Sequence, residues 1–388
     1  MIDFTNTEVA FGMKTNADLQ QSKLLFSTLS SPNVVSVLKN LTLASLALRL
    51  PIKGIVKATV FRQFCGGETI AECQKQIDRL SEGKVGAILD YSVEGKAQES
   101  DFDRTLQTTL ETIKFAKDNA FVPFGVFKPT GLGSIEIYEK ISLGKTLSAN
   151  EQKAWERTLE RFAAVFELAN ELQVPVMVDA EESWIQQAID EVVIGFMKTY
   201  NRERALVYNT AQLYRHDRLA HLKESLELAK KENFIYGVKI VRGAYMEKER
   251  ERAARKGYQD PIQPSKKATD DDYNAAIDLI LDHLDHMAVV IGTHNEQSVQ
   301  RAAEKMKAKN IALNDSRVHV AQLFGMSDHI SFNAANLGMN VAKYLPFGPV
   351  KDVLPYLFRR AEENTSVEGQ TGRELSLIQN EVKRRKSA

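Results

Sequence analysis

Between residues 85 and 348 eight short apolar runs, rich in β-branched residues, alternate with polar stretches of helical length. The runs are VGAILDYS (85–92), FGVFKP (124–129), VPVMVDAE (174–181), ALVYNTAQLY (205–214), YGVKIVRGAY (236–245), AVVIGTHN (288–295), RVHVAQLFG (317–325) and VAKYLPFG (341–348). Amphipathic segments such as 151–172, 218–233, 272–286 and 296–309 separate them. Parallel strands are covered on both faces, so they read as nearly continuous apolar runs. Eight strand-then-helix units predict an α/β chain built as a distorted (βα)8 TIM-type barrel. The competing solution is a doubly wound open sheet with a dinucleotide fingerprint. Its nearest match, Gly131-Leu132-Gly133, has Glu136 where the third glycine belongs, which disfavours it.

Residues 1–84 contain no convincing strand. Val34, Val37, Leu38, Leu41 and Leu48 recur at helical spacing, as do the apolar positions from Ile70 to Leu80. The expected organisation is an N-terminal helical region (1–84), a barrel (85–366) and a basic C-terminal tail (367–388), with Lys383 to Lys386 a solvated end. Lys+Arg and Asp+Glu both number 51. That balance, with no nucleic-acid motif, sets nucleic acid aside as a partner. Two cysteines, Cys65 and Cys73, are too few for a disulfide framework and fit a reducing compartment. The first residues lack the pattern of a secretory signal, and with Asp3, Glu8 and Asp18 ahead of the first arginine, Arg49, they argue against a mitochondrial presequence. A cytoplasmic location is expected. The longest apolar region, Val34 to Val60, is broken by Lys39, Arg49, Pro51, Lys53 and Lys57, whereas a membrane span needs roughly 18 uninterrupted apolar residues.

In such barrels the chemistry sits at the C-terminal ends of the strands. Here those ends carry Asp90, Lys128, Asp179, Gln212, Lys239 with Arg242, Thr293-His294-Asn295, Gln322 and Tyr344. One polar terminus is ordinary; eight favour a polar ligand. Lys239 lies inside the apolar run Val238 to Val241, where an unpaired ammonium is costly or loses its proton. It reads as a cation held against an electron-rich ligand, as a Schiff-base amine, or as a lysine snorkelling out of the barrel mouth. After the eighth run, a helix expected from about Asp352 gives Val353, Leu354, Leu357, Phe358 and Ala361 one apolar stripe, with Pro355 in the first turn. Tyr356, Arg359, Arg360 and Glu363 then share the other face. Adjacent guanidinium groups grip a carboxylate or phosphate bidentately; the alternative is a solvated surface pair. His216 with His221, and His283 with His286, lack a matching ligand set and read as helix-surface residues rather than metal ligands. These observations leave a barrel enzyme for a small carboxylate. A Schiff-base lyase using Lys128 or Lys239 and a flavin oxidoreductase with charged lysines both remain open.

The segments GVKIVRGAYMEKER (237–250), GTHNEQS (292–298), QLFGMSD (322–328) and KYLPFGPVKDVLPYLFRRAEENTS (343–366) resemble the proline dehydrogenase family in order and spacing. The resemblance is to its monofunctional branch, which includes the mitochondrial-type enzymes, and runs over about 85–366. It implies FAD bound without a Rossmann fold. By position, Ala180, Gln212, Lys239, Arg242, Gly243, Ala244, Thr293, His294 and Glu363 would contact the cofactor. Lys128, Arg359 and Arg360 would hold the carboxylate of L-proline, while Asp179, Tyr344, Tyr356 and Tyr245 would frame its ring. Asp179, Lys239 and Tyr344 are the residues the resemblance brings nearest the chemistry. Lys239 stands where some relatives have arginine. Tyr344 stands where hydroxyproline-oxidising relatives have a smaller residue, so proline is the expected substrate. The implied reaction gives 1-pyrroline-5-carboxylate by hydride transfer from proline C5 to flavin N5, with electrons passed to a membrane quinone. Seven basic residues against Asp18 alone between Lys14 and Arg62 are compatible with peripheral contact at the inner face of the cell membrane, and equally with a helix packed on the barrel.

Overall fold

The computed structural model describes residues 1–47, 53–93, 98–366 and 370–387. Each expected run holds one strand: β1 (Gly86–Tyr91), β2 (Gly125–Phe127), β3 (Val176–Val178), β4 (Val207–Gln212), β5 (Tyr236–Val241), β6 (Met287–Gly292), β7 (Val318–Leu323) and β8 (Val341–Phe347). Their order, β1-β8-β7-β6-β5-β4-β3-β2, sets sequence neighbours side by side and returns the last strand to the first. With parallel pairing and helices in the crossovers this is a nearly closed (βα)8 barrel behind a helical N-terminus. β3 is short because it follows Pro175, which has no N–H for a ladder; its carbonyl still accepts from Gly125 N at 2.9 Å.

Two compact units make up the chain: Gly95–Ala321 with Met1, and Ile2–Glu94 together with Gln322–Ala388. This is not the sequential division expected at residue 84. β1 belongs with the terminal segments because it ladders to β8 from Gly86↔Ala342 to Tyr91↔Phe347, and Gly67 bridges to Phe347 on the approach to β1.

Within Gly95–Ala321, β4 and β5 register Thr210 against Lys239, and β5 and β6 register Lys239 against Val290. The surrounding strand residues are buried apolar ones, among them Val238, Ile240, Val289 and Ile291. Lys239 therefore enters the apolar barrel wall, as its position in the sequence run implies.

The second unit corrects two expectations. Residues 370–387 are not a solvated tail but the helix Gln370–Ser387, because Leu375, Leu377, Ile378 and Val382 recur at helical spacing and pack against Ala10, Phe11, Leu19 and Phe26. Of its basic end, Arg385 donates to the carbonyls of Phe11 and Lys14, each at 2.8 Å, while Lys383, Arg384 and Lys386 are exposed. The helix carrying the arginine pair spans Val350–Ser366 and so begins before Asp352. Pro349 supplies its first acceptor, to Asp352 N at 2.8 Å, and Pro355 falls inside the helix rather than in its first turn. The basic residues of the N-terminal stretch are largely paired: Lys14 with Asp328 at 3.2 Å, Lys57 with Glu68 at 2.8 Å and Arg62 with Asp18 at 2.9 Å. Val37, Leu38 and Leu41 are exposed; Leu48, Arg49 and Pro51 lie outside the described residues. Among the described residues no helix is long and apolar enough to cross a membrane.

Candidate active site

The strand ends of Gly95–Ala321 converge on one carboxylate. Asp179, the first residue after β3, is fixed through its backbone, which donates to Phe127 O at 3.0 Å. Its Oδ1 meets Lys239 Nζ at 2.5 Å and its Oδ2 meets Lys128 Nζ at 3.3 Å. Lys239 is only 6% exposed. Burial works to raise the Asp179 carboxyl, but the charges of Lys239 and Lys128 and their hydrogen bonds outweigh it and hold it below the usual carboxylate range. Asp179 is thus an ionised counter-ion and a poor proton acceptor. A lysine snorkelling into solvent does not describe Lys239, whose ammonium is turned onto an interior partner.

A second cluster lies over β4, β5 and β6. Gln212 donates from Nε2 to Glu181 O at 2.7 Å and accepts at Oε1 from Ala244 N at 3.3 Å, so it ties the turn after β3 to the turn after β5. Arg242 is held on every side: Nε donates to Asp270 at 2.7 Å, Nη1 to Thr293 Oγ1 at 2.8 Å and Nη2 to Ser298 Oγ at 3.1 Å. Its guanidinium lies 4.3 Å from the centroid of the Tyr273 ring. Gly243 follows with φ +142°, and a Cβ there would come within 2.4 Å of the Tyr214 ring. Only glycine lets the chain turn this closely. An immobilised cation beside the exposed backbone of Gly243 and Ala244 is chemistry suited to a phosphate. Thr293 Oγ1 also accepts from Asn295 N at 3.1 Å, and His294 is half-buried beside it.

Glu181 escaped the reading of the strand ends. Its Oε1 accepts from Thr130 N at 3.2 Å and Thr130 Oγ1 at 2.7 Å, and its Oε2 from the Tyr245 hydroxyl at 3.3 Å. Burial pushes its carboxyl up to about 7; the Thr130 hydroxyl opposes this, Glu182 adds to it, and Lys128 and the Thr130 N–H oppose it. The signal was present in the sequence: Glu181 follows Asp179 by two residues, the spacing that returns a side chain to the same side of extended backbone. Next to it, Glu249, fully buried, accepts from Ser183 N and Ser183 Oγ, both at 2.6 Å, and so caps the helix Ser183–Tyr200 from outside.

Ala180, half-buried, follows Asp179 in the same unit; the remaining expected residues belong to the other unit. Tyr344, in β8, is 8% exposed, and its carbonyl accepts from Phe324 N at 2.8 Å. Along Val350–Ser366, Tyr356 and Arg360 do share a face, but a buried one: Tyr356 packs in the same apolar cluster as Val353, Leu354, Leu357 and Ala361. Arg360 is itself 7% exposed, its guanidinium 5.0 Å from the Tyr356 ring centroid. A solvated surface pair is therefore excluded for Arg360, while Arg359 is half-buried. Glu363 lies on this helix, its side chain outside the described ones.

Residues 73–373 match the family model for proline dehydrogenase. The chain belongs to the proline dehydrogenase family. It is 38% identical to the carbapenem antibiotics biosynthesis protein CarD of Pectobacterium carotovorum over 83% of this chain and 83% of that protein. To mitochondrial proline dehydrogenase 1 of Dictyostelium discoideum it is 34% identical over 88% of this chain and 67% of that one. In fold it is similar to proline utilization A of Bdellovibrio bacteriovorus, a crystal structure of the enzyme inactivated by N-propargylglycine, with TM-score 0.73, 20% identity and 95% of this chain covered. The chain spans 40% of that protein's length. Membership in the proline dehydrogenase family agrees with the four motifs, all of which start within the matched region.

Proposed function

We propose that the chain oxidises L-proline to 1-pyrroline-5-carboxylate with bound FAD and passes the electrons to a quinone. The observation that carries this reading is the Asp179 carboxylate held between Lys239 and Lys128. A Schiff-base lysine must be a neutral amine at the moment of attack; here both candidate amines are turned onto the ionised Asp179 carboxylate, at 2.5 and 3.3 Å, and neither is presented as a nucleophile. Two fixed cations beside a ligand site suit a cofactor that gains negative charge on reduction.

The residues of this site fit FAD. Arg242, immobilised by Asp270, Thr293 and Ser298, would hold a phosphate next to the Gly243–Ala244 backbone. Gln212, Thr293, His294, Ala180 and Glu363 would complete the cofactor's contacts. When bound, the flavin supplies the two-electron acceptor. Lys239 keeps positive charge near it, and Asp179 keeps that lysine in place. Lys128 is read as binding the substrate carboxylate, as are Arg359 and Arg360. Tyr245, Tyr344 and Tyr356 are read as framing the ring, with the Tyr344 phenol crowding a 4-hydroxyl. Fixing the carboxylate orients the substrate's C–H bond, and that positioning lowers the barrier. Quinone reduction calls for contact with a membrane surface, for which the exposed Val37, Leu38 and Leu41 offer an apolar face.

Purified protein loaded with FAD tests the reading. Its yellow colour should bleach anaerobically with L-proline, far less with trans-4-hydroxyproline, and return on addition of a soluble quinone. Arg359→Met and Arg360→Met should raise KM for proline at least tenfold with flavin content intact. Protein that cannot be loaded with FAD, or substrate trapped on Lys239 by borohydride, would overturn the proposal.

A further inference from the structure

Glu181 has no part in the chemistry above, yet it joins two turns that do. Its own backbone is pinned at both ends, N–H to Gln186 Oε1 at 3.1 Å and carbonyl to Gln212 Nε2 at 2.7 Å. From this fixed base the side chain reaches Thr130, two residues beyond Lys128, and Tyr245, two residues beyond Gly243. As a carboxylate, Glu181 accepts from all three donors. As a carboxylic acid it carries an O–H of its own, which needs an acceptor in this buried site. Oε1 faces two donors from Thr130, so the proton belongs on Oε2, and the contact with Tyr245 must then reverse, the phenol oxygen accepting instead of donating.

We propose that Glu181 is a positioning residue whose ionised form holds Tyr245 and the Lys128-bearing turn in the arrangement that binds proline, and whose protonated form reverses the hydrogen bond to Tyr245, re-aims the phenol and so weakens that arrangement. This rests on the functional reading above. Charged and titratable groups face Glu181 from several elements. Lys128, at the end of β2, favours its ionised form, and Glu182 on its own turn opposes it. Lys248, from the helix after β5, pairs with Glu182, and Asp179 takes part of the charge of Lys128. Tyr138, whose hydroxyl donates to Pro129 O at 3.1 Å, is pushed up by its own burial and by the charge of Glu181, and Tyr245 is the phenol it binds. The resulting titration near 7 lies where a change of ionisation matters during turnover.

The test is KM and kcat for L-proline from pH 5.5 to 9 with flavin-loaded wild type, Glu181→Gln and Thr130→Val. Wild type should lose affinity for proline below about pH 7. Glutamine keeps an acceptor for Thr130 but presents an N–H₂ to Tyr245, mimicking the protonated acid. Its KM should be raised roughly 3- to 10-fold at pH 8.5, the worth of one hydrogen bond, with kcat within about twofold and no acidic limb in 1/KM. Thr130→Val removes a donor that stabilises the carboxylate, so its limb should move to higher pH by roughly half a unit to one unit. A merely structural Glu181 would alter melting without altering the pH profile. A Glu181→Gln enzyme with the wild-type limb, or a Thr130→Val limb that stays put, overturns the inference; the second result decides the matter if the first variant fails to fold. Wild type that bleaches with proline but has no limb overturns this inference alone, whereas wild type that never bleaches overturns the functional reading and this one with it.

Discussion

The ion pair inside the barrel gives the sharpest quantitative test. Lys239 is 6% exposed, and Asp179 stands 2.5 Å from its ammonium and 3.3 Å from that of Lys128. Asp179→Asn keeps the side-chain shape and removes the charge that both ammonium groups face. Breaking a buried pair in this way costs roughly 3–5 kcal/mol, because the desolvated partner stays behind. Lys239→Met costs less, about 1–3 kcal/mol, since the carboxylate retains Lys128. The double variant removes the penalty each single change imposes on the other partner, so it should be less destabilised than the sum by roughly 2–3 kcal/mol. Urea denaturation followed by tryptophan fluorescence measures this cycle in the right place, since both tryptophans, Trp155 and Trp184, lie in Gly95–Ala321 with the triad. Additivity within about 0.5 kcal/mol would mean that the two side chains do not act as a buried ion pair. The reason for reading the lysines as permanent cations would then be gone.

Gly243→Ala should reduce flavin retained after desalting and destabilise the unit by about 1–3 kcal/mol, because φ +142° and a Cβ 2.4 Å from the Tyr214 ring are both forbidden to alanine; full flavin content in the variant contradicts the close turn. Burial pushes the Cys73 thiol up to about 12 and the Cys65 thiol higher still, so a thiol reagent at pH 8 should find neither in native protein and both after denaturation, and labelling within minutes would refute their burial. Glu181 also has a signature in stability. The folded state holds its proton up to about pH 7, whereas an ordinary glutamate releases it near 4.5. Its contribution is therefore full below pH 4.5 and is lost as pH rises through 7, on the order of 3 kcal/mol. Glu181→Gln should accordingly resist urea better than wild type at pH 8 and no better at pH 4.5; a difference that does not vary with pH contradicts the titration.

Strands were legible because parallel strands buried on both faces write themselves as apolar runs, and each of the eight runs holds one. Lys239 was legible for the same reason, as an ammonium in a stretch that otherwise admits none. The partnership of Asp179 with both lysines was not. It depends on residues 51 and 60 positions apart along the chain, and no local period encodes such distances. The helix Gln370–Ser387 was obscured by its charge: Arg384, Arg385 and Lys386 dominate its end, while its apolar stripe reads as incidental until Phe11 and Phe26 are known to face it. Pro355 misled about where the preceding helix starts, since a proline normally marks a first turn. A helical wheel places Tyr356 with the arginines on a face apart from the apolar stripe, whereas the buried arc of this helix is wide enough to take in Tyr356 and Arg360 beside Val353 and Leu357.

The order of synthesis follows from the way the two units are threaded. Gly95–Ala321 is one continuous stretch, so everything it needs is present as soon as Ala321 has been made. The other unit must wait. Phe11, Leu19 and Phe26 find Leu377 and Ile378 only at the far end of the chain, and β1 has no β8 until Phe347 is made. At translation rates of about 5–20 residues per second, the first helices spend on the order of 20–70 s with their apolar sides uncovered. Slowing translation at any point between the codons for Leu29 and Ile378 should thus extend the period in which the newborn protein depends on chaperones, whereas the same delay placed before Phe11 should not.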